Sequence, residues 1–355
     1  MKPFRIIDTG LREGRAQMAF DQAMIDLHKA GKIPDTLRFL QFPPTALVGR
    51  HQDLSAELRL DACKAAGVGV GRRITGGGAL YLDEGQFGWE LVFHRDTLGV
   101  TNLGDLAKEI CEAAAYGLSK LGINARYRPR NDIEVDGRKV SGTGGFFDGS
   151  TFFYQGTVLV DMDAEKMVSL LNIPDAKLAK HAALTAAQRI VTLKELLKGK
   201  APSIAEVKQA LLEGFAQKLG LNMVPAPLTD AEEQLADKLY HDEIGTNEFV
   251  HEIDGLGKRP EILKGSFTGN GGTIFAHLRL EGPLNNRLRE VVISGDFFVT
   301  PPRKIYDLEA ALRGTLTNEI AQTVKTFFAN SNVGLLSATP DDFTAALENA
   351  IGQSA

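Results

Sequence analysis

Cysteine is nearly absent from this chain of 355 residues: there are two, Cys63 and Cys111, 48 positions apart (111 − 63). Both lie in helix-like patterns, and neither stands beside a histidine or in a glycine-rich loop, so a disulfide framework and a thiol nucleophile have no recognisable setting. The seven histidines show no short ligand spacing, which argues against a structural zinc site. No apolar run approaches the roughly 20 residues a membrane helix needs. The start MKPFRIIDTGLREGR carries no apolar signal stretch, so the chain is expected to be cytoplasmic, with no membrane partner. Charge is ordinary too. A formal net charge of −5 disfavours a surface evolved to coat nucleic acid, without excluding a local basic pocket.

Standard nucleotide signatures are missing too. Gly31-Lys32, Gly199-Lys200 and Gly257-Lys258 are not followed by Ser or Thr as a Walker loop requires, and Gly69-Val70-Gly71 runs into Arg72-Arg73-Ile74 instead of completing a dinucleotide fingerprint. Repeats and low-complexity tracts are absent. What remains, 43% hydrophobic and 24% charged residues, describes an ordinary globular protein long enough for two domains.

The most informative segment is RRITGGGALYLD, residues 72–83. Three glycines let consecutive backbone N–H groups converge on an anion, and Arg72 and Arg73 add permanent fork-shaped donors. The competing reading is a plain flexible turn flanked by solvated arginines. Around this segment, helical spacing of Phe20, Ala23, Met24 and Leu27 predicts a buried helix face. Residues 37–50 read as strand, turn and strand, and 56–66 as a helix. FGWELVF (87–93) and FFYQGTVLVDM (152–162) read as apolar strands, and two further helices fall around Leu106–Leu121 and Ile204–Leu219.

Residues 126–142, RYRPRNDIEVDGRKVSG, alternate with period two around Asp136-Gly137, a strong hairpin turn. With that turn at the tip, Val135 pairs with Arg138, Glu134 with Lys139, Ile133 with Val140 and Asp132 with Ser141. Asp132, Glu134, Lys139 and Ser141 would then share a polar face. Lys139 either looks into a cleft or forms a cross-strand ion pair with Glu134. Pro225, Pro227 and the acidic stretch 230–243 mark a linker. Residues 244–355 then show strand-like runs at 260–268, 273–281 and 288–296 and helix-like runs at 304–313, 316–329 and 340–351, a small α+β unit.

Four ordered blocks, PTALVGRHQD (44–53), RRITGGGALYLD (72–83), RNDIEVDGRKVSG (130–142) and QGTVLVDMD (155–163), resemble the lipoate–protein ligase family. VVISGDFFVTPPRKIYDLEAALRG (291–314) resembles the accessory C-terminal domain of its two-domain form. The resemblance implies an α+β fold: a mixed-sheet acyl-protein ligase catalytic domain, similar to biotin and lipoate ligases, over residues 1–243, with the accessory domain over 244–355. It implies that lipoate and ATP form lipoyl-adenylate, and that a lysine amine of an acceptor protein then takes the lipoyl group. Mg²⁺ would accompany ATP, and no tightly bound cofactor is expected.

By that pattern the adenylate site comprises Arg72, Arg73, Gly76, Gly77, Gly78, Ala79, Leu80, Tyr81, Asp83, Asn131 and Lys139. Lys139 would reach both the phosphate and the acyl carbonyl, while Arg72 suits a structural ion pair equally well. Asp132 is a candidate to accept the amine proton, to hold Lys139 or to bind Mg²⁺. Expected acceptors are a 2-oxoacid dehydrogenase acyltransferase, the glycine-cleavage H protein or a specialised lipoate-binding protein, with the enzyme itself a monomer. The chain departs from the family where Leu82-Asp83 replaces His-Asp, where Gln155 replaces a histidine, and in SGTGGFF (141–147). The alternatives are an octanoyl or lipoyl transferase fed by a carrier protein, disfavoured by the missing cysteine around 141–156, biotin ligation, and a binding protein without turnover.

Overall fold

In this computed structural model, residues 2–100, 102–129, 131–172, 187–256 and 261–352 are described; Arg130, which opens one of the family blocks, lies outside them. Strands β1 (Lys2–Leu11), β2 (Thr36–Gln41), β3 (Thr45–Val48), β4 (Gly69–Arg72), β5 (Leu80–Leu82), β6 (Gln86–His94), β7 (Arg126–Arg128), β8 (Asp132–Val135), β9 (Arg138–Asp148), β10 (Thr151–Leu159) and β11 (Leu221–Pro225) build two sheets. The large one is mixed, in the order β11-β1-β2-β6-β10-β9-β8-β7, and the small one runs β4-β3-β5. Among the described residues no helix is long and apolar enough to cross a membrane.

Both faces of the large sheet are covered, which explains why FGWELVF is apolar almost throughout. Phe87, Trp89, Leu91 and Phe93 point into one core with the helices Leu103–Ser119 and Ile204–Leu219. The second of these helices starts on a Ser203/Glu206 capping box and stops at Gly220, which adopts left-handed geometry. Trp89 packs there against Phe215, ring centres 5.2 Å apart. On the opposite face Val92 joins Phe20, Ala23, Met24 and Leu27 of the helix Gly14–Lys29. Glu90 shares that second face by alternation, and it is almost fully buried.

Two local expectations are corrected. The helix expected at 56–66 is two short helices, Leu54–Glu57 and Leu60–Ala65. The glycine loop itself joins two strands, β4 and the short β5 that precedes β6. The hairpin is bulged between Ile133 and Glu134, so Ile133 faces Ser141 and Asp132 faces Gly142. Ser141 is thereby turned into the interior, fully buried, instead of joining the polar face.

The C-terminal part has its own antiparallel sheet of β12 (Leu263–Gly269), β13 (Gly272–Glu281) and β14 (Arg287–Gly295). Helices Lys304–Leu312, Ile320–Asn330 and Pro340–Gly352 close over a separate core containing Ile274, Leu278, Leu308, Val324 and Phe343. That core begins at Leu263, later than a division at 243/244 implies. Residues 244–256 pack on the first body: Ile244 and Val250 sit in its cores, and the Leu54 amide donates to the Ile253 carbonyl at 2.9 Å. Asp53 accepts from the amides of Gly255 and Leu256 at 3.0 and 2.8 Å.

Candidate active site

Between the face of the large sheet on which helix Gly14–Lys29 lies and the small sheet is a cavity, open to solvent, with about 620 Å³ of empty space. Its aliphatic wall includes Met18, Leu40, Phe42, Leu47 and Leu82. Its polar wall includes Arg73, Thr75, Glu90, Asn131, Lys139, Thr143 and Gln155, and Gly76, Gly77 and Gly78 form one edge. A second, also open, space of about 510 Å³ shares Gly77, Gly78, Asn131, Lys139 and Phe298 with it and adds Asp132, Gly271, Asp296 and Leu336. An apolar recess thus adjoins a polar one across shared residues.

Alternation decides which residues of the 72–83 segment face inward. Arg73, Gly76, Gly77, Gly78, Leu80 and Leu82 line the cavity. Arg72, Ala79, Tyr81 and Asp83 do not. Arg72 points the other way, buried at 1% exposure, and its guanidinium donates to the carbonyls of Gly49, Arg50, Gln52, Phe249, Val250 and Ile253. It therefore staples three backbone segments, with neither an anion nor an ion pair as its main partner. Tyr81 is buried in the small core with Ala46 and Cys63, and Ala79 packs against that core. Asp83 accepts the Gly85 amide at 3.0 Å and shapes the turn before β6.

Arg73 supports the loop from inside. It donates to the carbonyls of Leu47, Gly76 and Gly78 at 3.1, 3.1 and 2.8 Å. Burial lowers its pKa to about 10, so it stays cationic at neutral pH. Gly77 has φ +91°, and a Cβ there would meet the Phe298 ring at 2.8 Å, two reasons why glycine is required.

On the hairpin, Glu134 and Lys139 are cross-strand partners as the turn implies, but of the two alternatives for the lysine the ion pair with Glu134 does not form: Lys139 Nζ lies 2.7 Å from Asp132 Oδ1, and Glu134 meets Arg128 at 3.3 Å. Arg128 also pairs with Asp132. Burial pushes the Asp132 carboxyl up, but Lys139 and Arg128 outweigh it and hold Asp132 below the usual carboxylate range. Asn131 donates to the Thr143 carbonyl at 2.7 Å and its own carbonyl accepts from Thr143, which fixes the amide at the junction of the two spaces.

Several lining residues carry no sequence signal. Phe298 and Asp296 arrive from the C-terminal body, and tertiary docking alone puts them here. Thr143, and Arg128 behind Asp132, become visible only once the bulged register is known. Neither cysteine lines the cavity; Cys111 sits just behind Thr143, 3.4 Å from its hydroxyl, and burial pushes its thiol up to about 11.

Residues 13–216, more than half of the chain, match the Lipoyl protein ligase A/B catalytic domain. Octanoyltransferase LipM of Symbiobacterium thermophilum is 31% identical over 267 residues, covering 68% of this chain and 96% of that protein. Lipoate-protein ligase A subunit 1 of Thermoplasma acidophilum is 27% identical, covering 66% and 91%. Among solved structures, the bi-partite lipoate protein ligase of Thermoplasma acidophilum, described together with its E2 lipoyl domain as a lipoylation system, superposes with TM-score 0.62 at 25% identity over 71% of this chain and 96% of that one. P. falciparum LipL1 in complex with lipoate has the same fold over both bodies, with TM-score 0.71 at 16% identity, covering 99% and 100%. This chain belongs to the lipoyl protein ligase A/B catalytic domain family.

Proposed function

We propose that this protein is an ATP-dependent lipoate–protein ligase. The observation that carries the reading is the place of Lys139, at the junction of the apolar cavity and the glycine-edged opening. In the first step a lipoate carboxylate oxygen attacks the α-phosphorus of ATP, and pyrophosphate leaves with the electrons of the broken P–O bond. Negative charge gathers between Lys139 and the glycine edge, where the amides of Gly76 and Gly78 are the donors to hand and the Gly77 amide is held by the Phe297 carbonyl at 3.3 Å. In the second step an acceptor lysine nitrogen attacks the acyl carbonyl, AMP leaves, and the amine gives up a proton.

Asp132 is a positioning residue in this scheme. Held between Lys139 and Arg128, it is too weak a base to draw a proton from an amine, and it aims the ammonium of Lys139 at the mouth of the cavity. Among the described residues no three His, Cys, Asp or Glu side chains form a metal cluster. Asp132 and Asp296 are the carboxylates on the wall of the outer opening. That donor set fits a Mg²⁺ ion bound mainly through substrate phosphates, where it would offset phosphate charge.

The relatedness to LipM octanoyltransferase supports a second reading, acyl transfer from a carrier protein. Against it stands the lining: a thioester route through the protein needs an accessible thiolate, and Cys111 is buried and protonated. A lipoyl-domain acceptor is assigned by analogy with the Thermoplasma ligase, which is described with its own E2 lipoyl domain. Incubation with ATP, Mg²⁺ and lipoate, followed by mass spectrometry, is expected to yield lipoyl-adenylate. Folded protein that forms no adenylate, yet moves octanoate from a carrier to a lipoyl domain, would replace this reading with the second.

A further inference from the structure

Three residues lie directly opposite one another across the middle of the large sheet: Arg38 on β2, Glu90 on β6 and Gln155 on β10. Paired residues point to the same face, here the cavity face. Glu90 and Gln155 line the cavity, and Arg38 lies behind Glu90 with its guanidinium fully buried. Among aliphatic neighbours, a carboxyl that is only 1% exposed is the least expected group on this wall.

The charges around it do not cancel. Arg38 Nη1 donates to both Asp21 at 2.7 Å and Glu90 at 2.9 Å, while its other nitrogens are taken by Gln17 and Thr9. One buried cation thus faces two buried carboxyls, which hydrogen-bond each other. Two ionised carboxylates on one guanidinium would leave a net negative charge in a dry site, so the pair shares a proton. Burial, with Asp21 beside it, raises Glu90 well above the ordinary range. The cavity wall therefore carries a polar but uncharged carboxyl.

Its position along the cavity has meaning as well. Lys139 Nζ lies over Gly142, on β9, and Glu90 is two strands away on β6. Strand spacing makes that separation about 10 Å, plus one pleat step, the reach of an extended eight-carbon acyl chain whose carbonyl sits at Lys139. We propose that Glu90, backed by Arg38, is the residue that reads the far end of the acyl chain, favouring a cyclic disulfide, whose sulfurs are polarisable, over a saturated methyl end.

This inference rests on the reading of the cavity as an acyl site. Glu90→Leu leaves Arg38 and Asp21 as a one-to-one ion pair, so the variant should fold; Glu90→Gln keeps a neutral polar group. Lipoate and octanoate are titrated calorimetrically, without ATP, into the full chain and both variants. The wild type should bind lipoate about tenfold more tightly, the scale of one polar contact in a dry site. Glu90→Leu should lose that preference, the two affinities converging, and Glu90→Gln should keep it. Equal affinity for the two acids in the wild type, or an unchanged preference in folded Glu90→Leu, overturns the role of Glu90 while leaving the acyl site standing. Binding of neither acid to the wild type overturns both.

Discussion

Lys139 reaches Asp132 by lying across Gly142: Asp132 and Gly142 are cross-strand partners, and a Cβ at position 142 would sit 2.5 Å from Lys139 Nζ. The bulge puts a glycine where the unbulged register would put Ser141. Gly142→Ala should therefore displace the ammonium without touching the core. Adenylate formation should fall about 10²-fold or more in both Gly142→Ala and Lys139→Ala, the usual loss of one preorganised donor, with melting temperature little changed. Normal lipoyl-adenylate yield in Lys139→Ala would refute the assignment.

Arg72→Lys should cost about 3 kcal/mol or more of stability, because an ammonium cannot serve the six buried carbonyls that the guanidinium spans. Denaturant titration measures the loss. Nucleotide affinity of the folded fraction should be unchanged; a selective loss of ATP binding would restore Arg72 to the site.

How far the sequence led can be read from this arginine pair and the hairpin. The sequence kept both Arg72 and Arg73 in the site and left Arg72 open between ligand and structural roles, because alternation separates them only if the strand persists; the Asp136-Gly137 turn placed Lys139 on its strand. The bulge was invisible, since nothing local distinguishes Val140 as the extra residue; burial of Ser141 and close approach over Gly142 select it. Glu90 was likewise hidden in an apolar run, because its partners Arg38 and Asp21 come from distant segments. Phe298 and Asp296 reach the site only through docking of a second body, which no local pattern encodes.

Phe298→Ala should loosen that docking. The ring stands against Gly77 and Gly144, where added Cβ atoms would meet it at 2.8 and 2.5 Å. Removing it should impair lipoyl-adenylate formation more than transfer from preformed lipoyl-adenylate, since in the proposed ligase reading the aromatic would close the glycine edge of the ATP site. Equal loss in the two half-reactions would count against this role.

Glu309 gives the C-terminal body a pH dependence. Burial raises its pKa to about 7, although it accepts the Ile293 amide at 2.7 Å. Its folded pKa lies above its unfolded one near 4.5, so the folded state binds the extra proton. Stability contributed by the neutral acid is then present below about pH 4.5 and lost as pH rises through about 7. Glu309→Gln should flatten the fall in melting temperature between about pH 5 and 8; an identical pH profile in the variant would show that another group is responsible.

The staple between Arg72 and the carbonyls of Phe249, Val250 and Ile253 dictates where this protein can be divided. A chain cut after residue 243 would strip the guanidinium of half its acceptors and leave the Leu54 amide without Ile253, so its inactivity would report misfolding and not the loss of a mobile domain. Separate expression of the two bodies should break the chain between 257 and 262, keeping 244–256 with the first. Only halves made that way can be recombined in solution to ask whether the second body is needed for activation, for transfer, or for both.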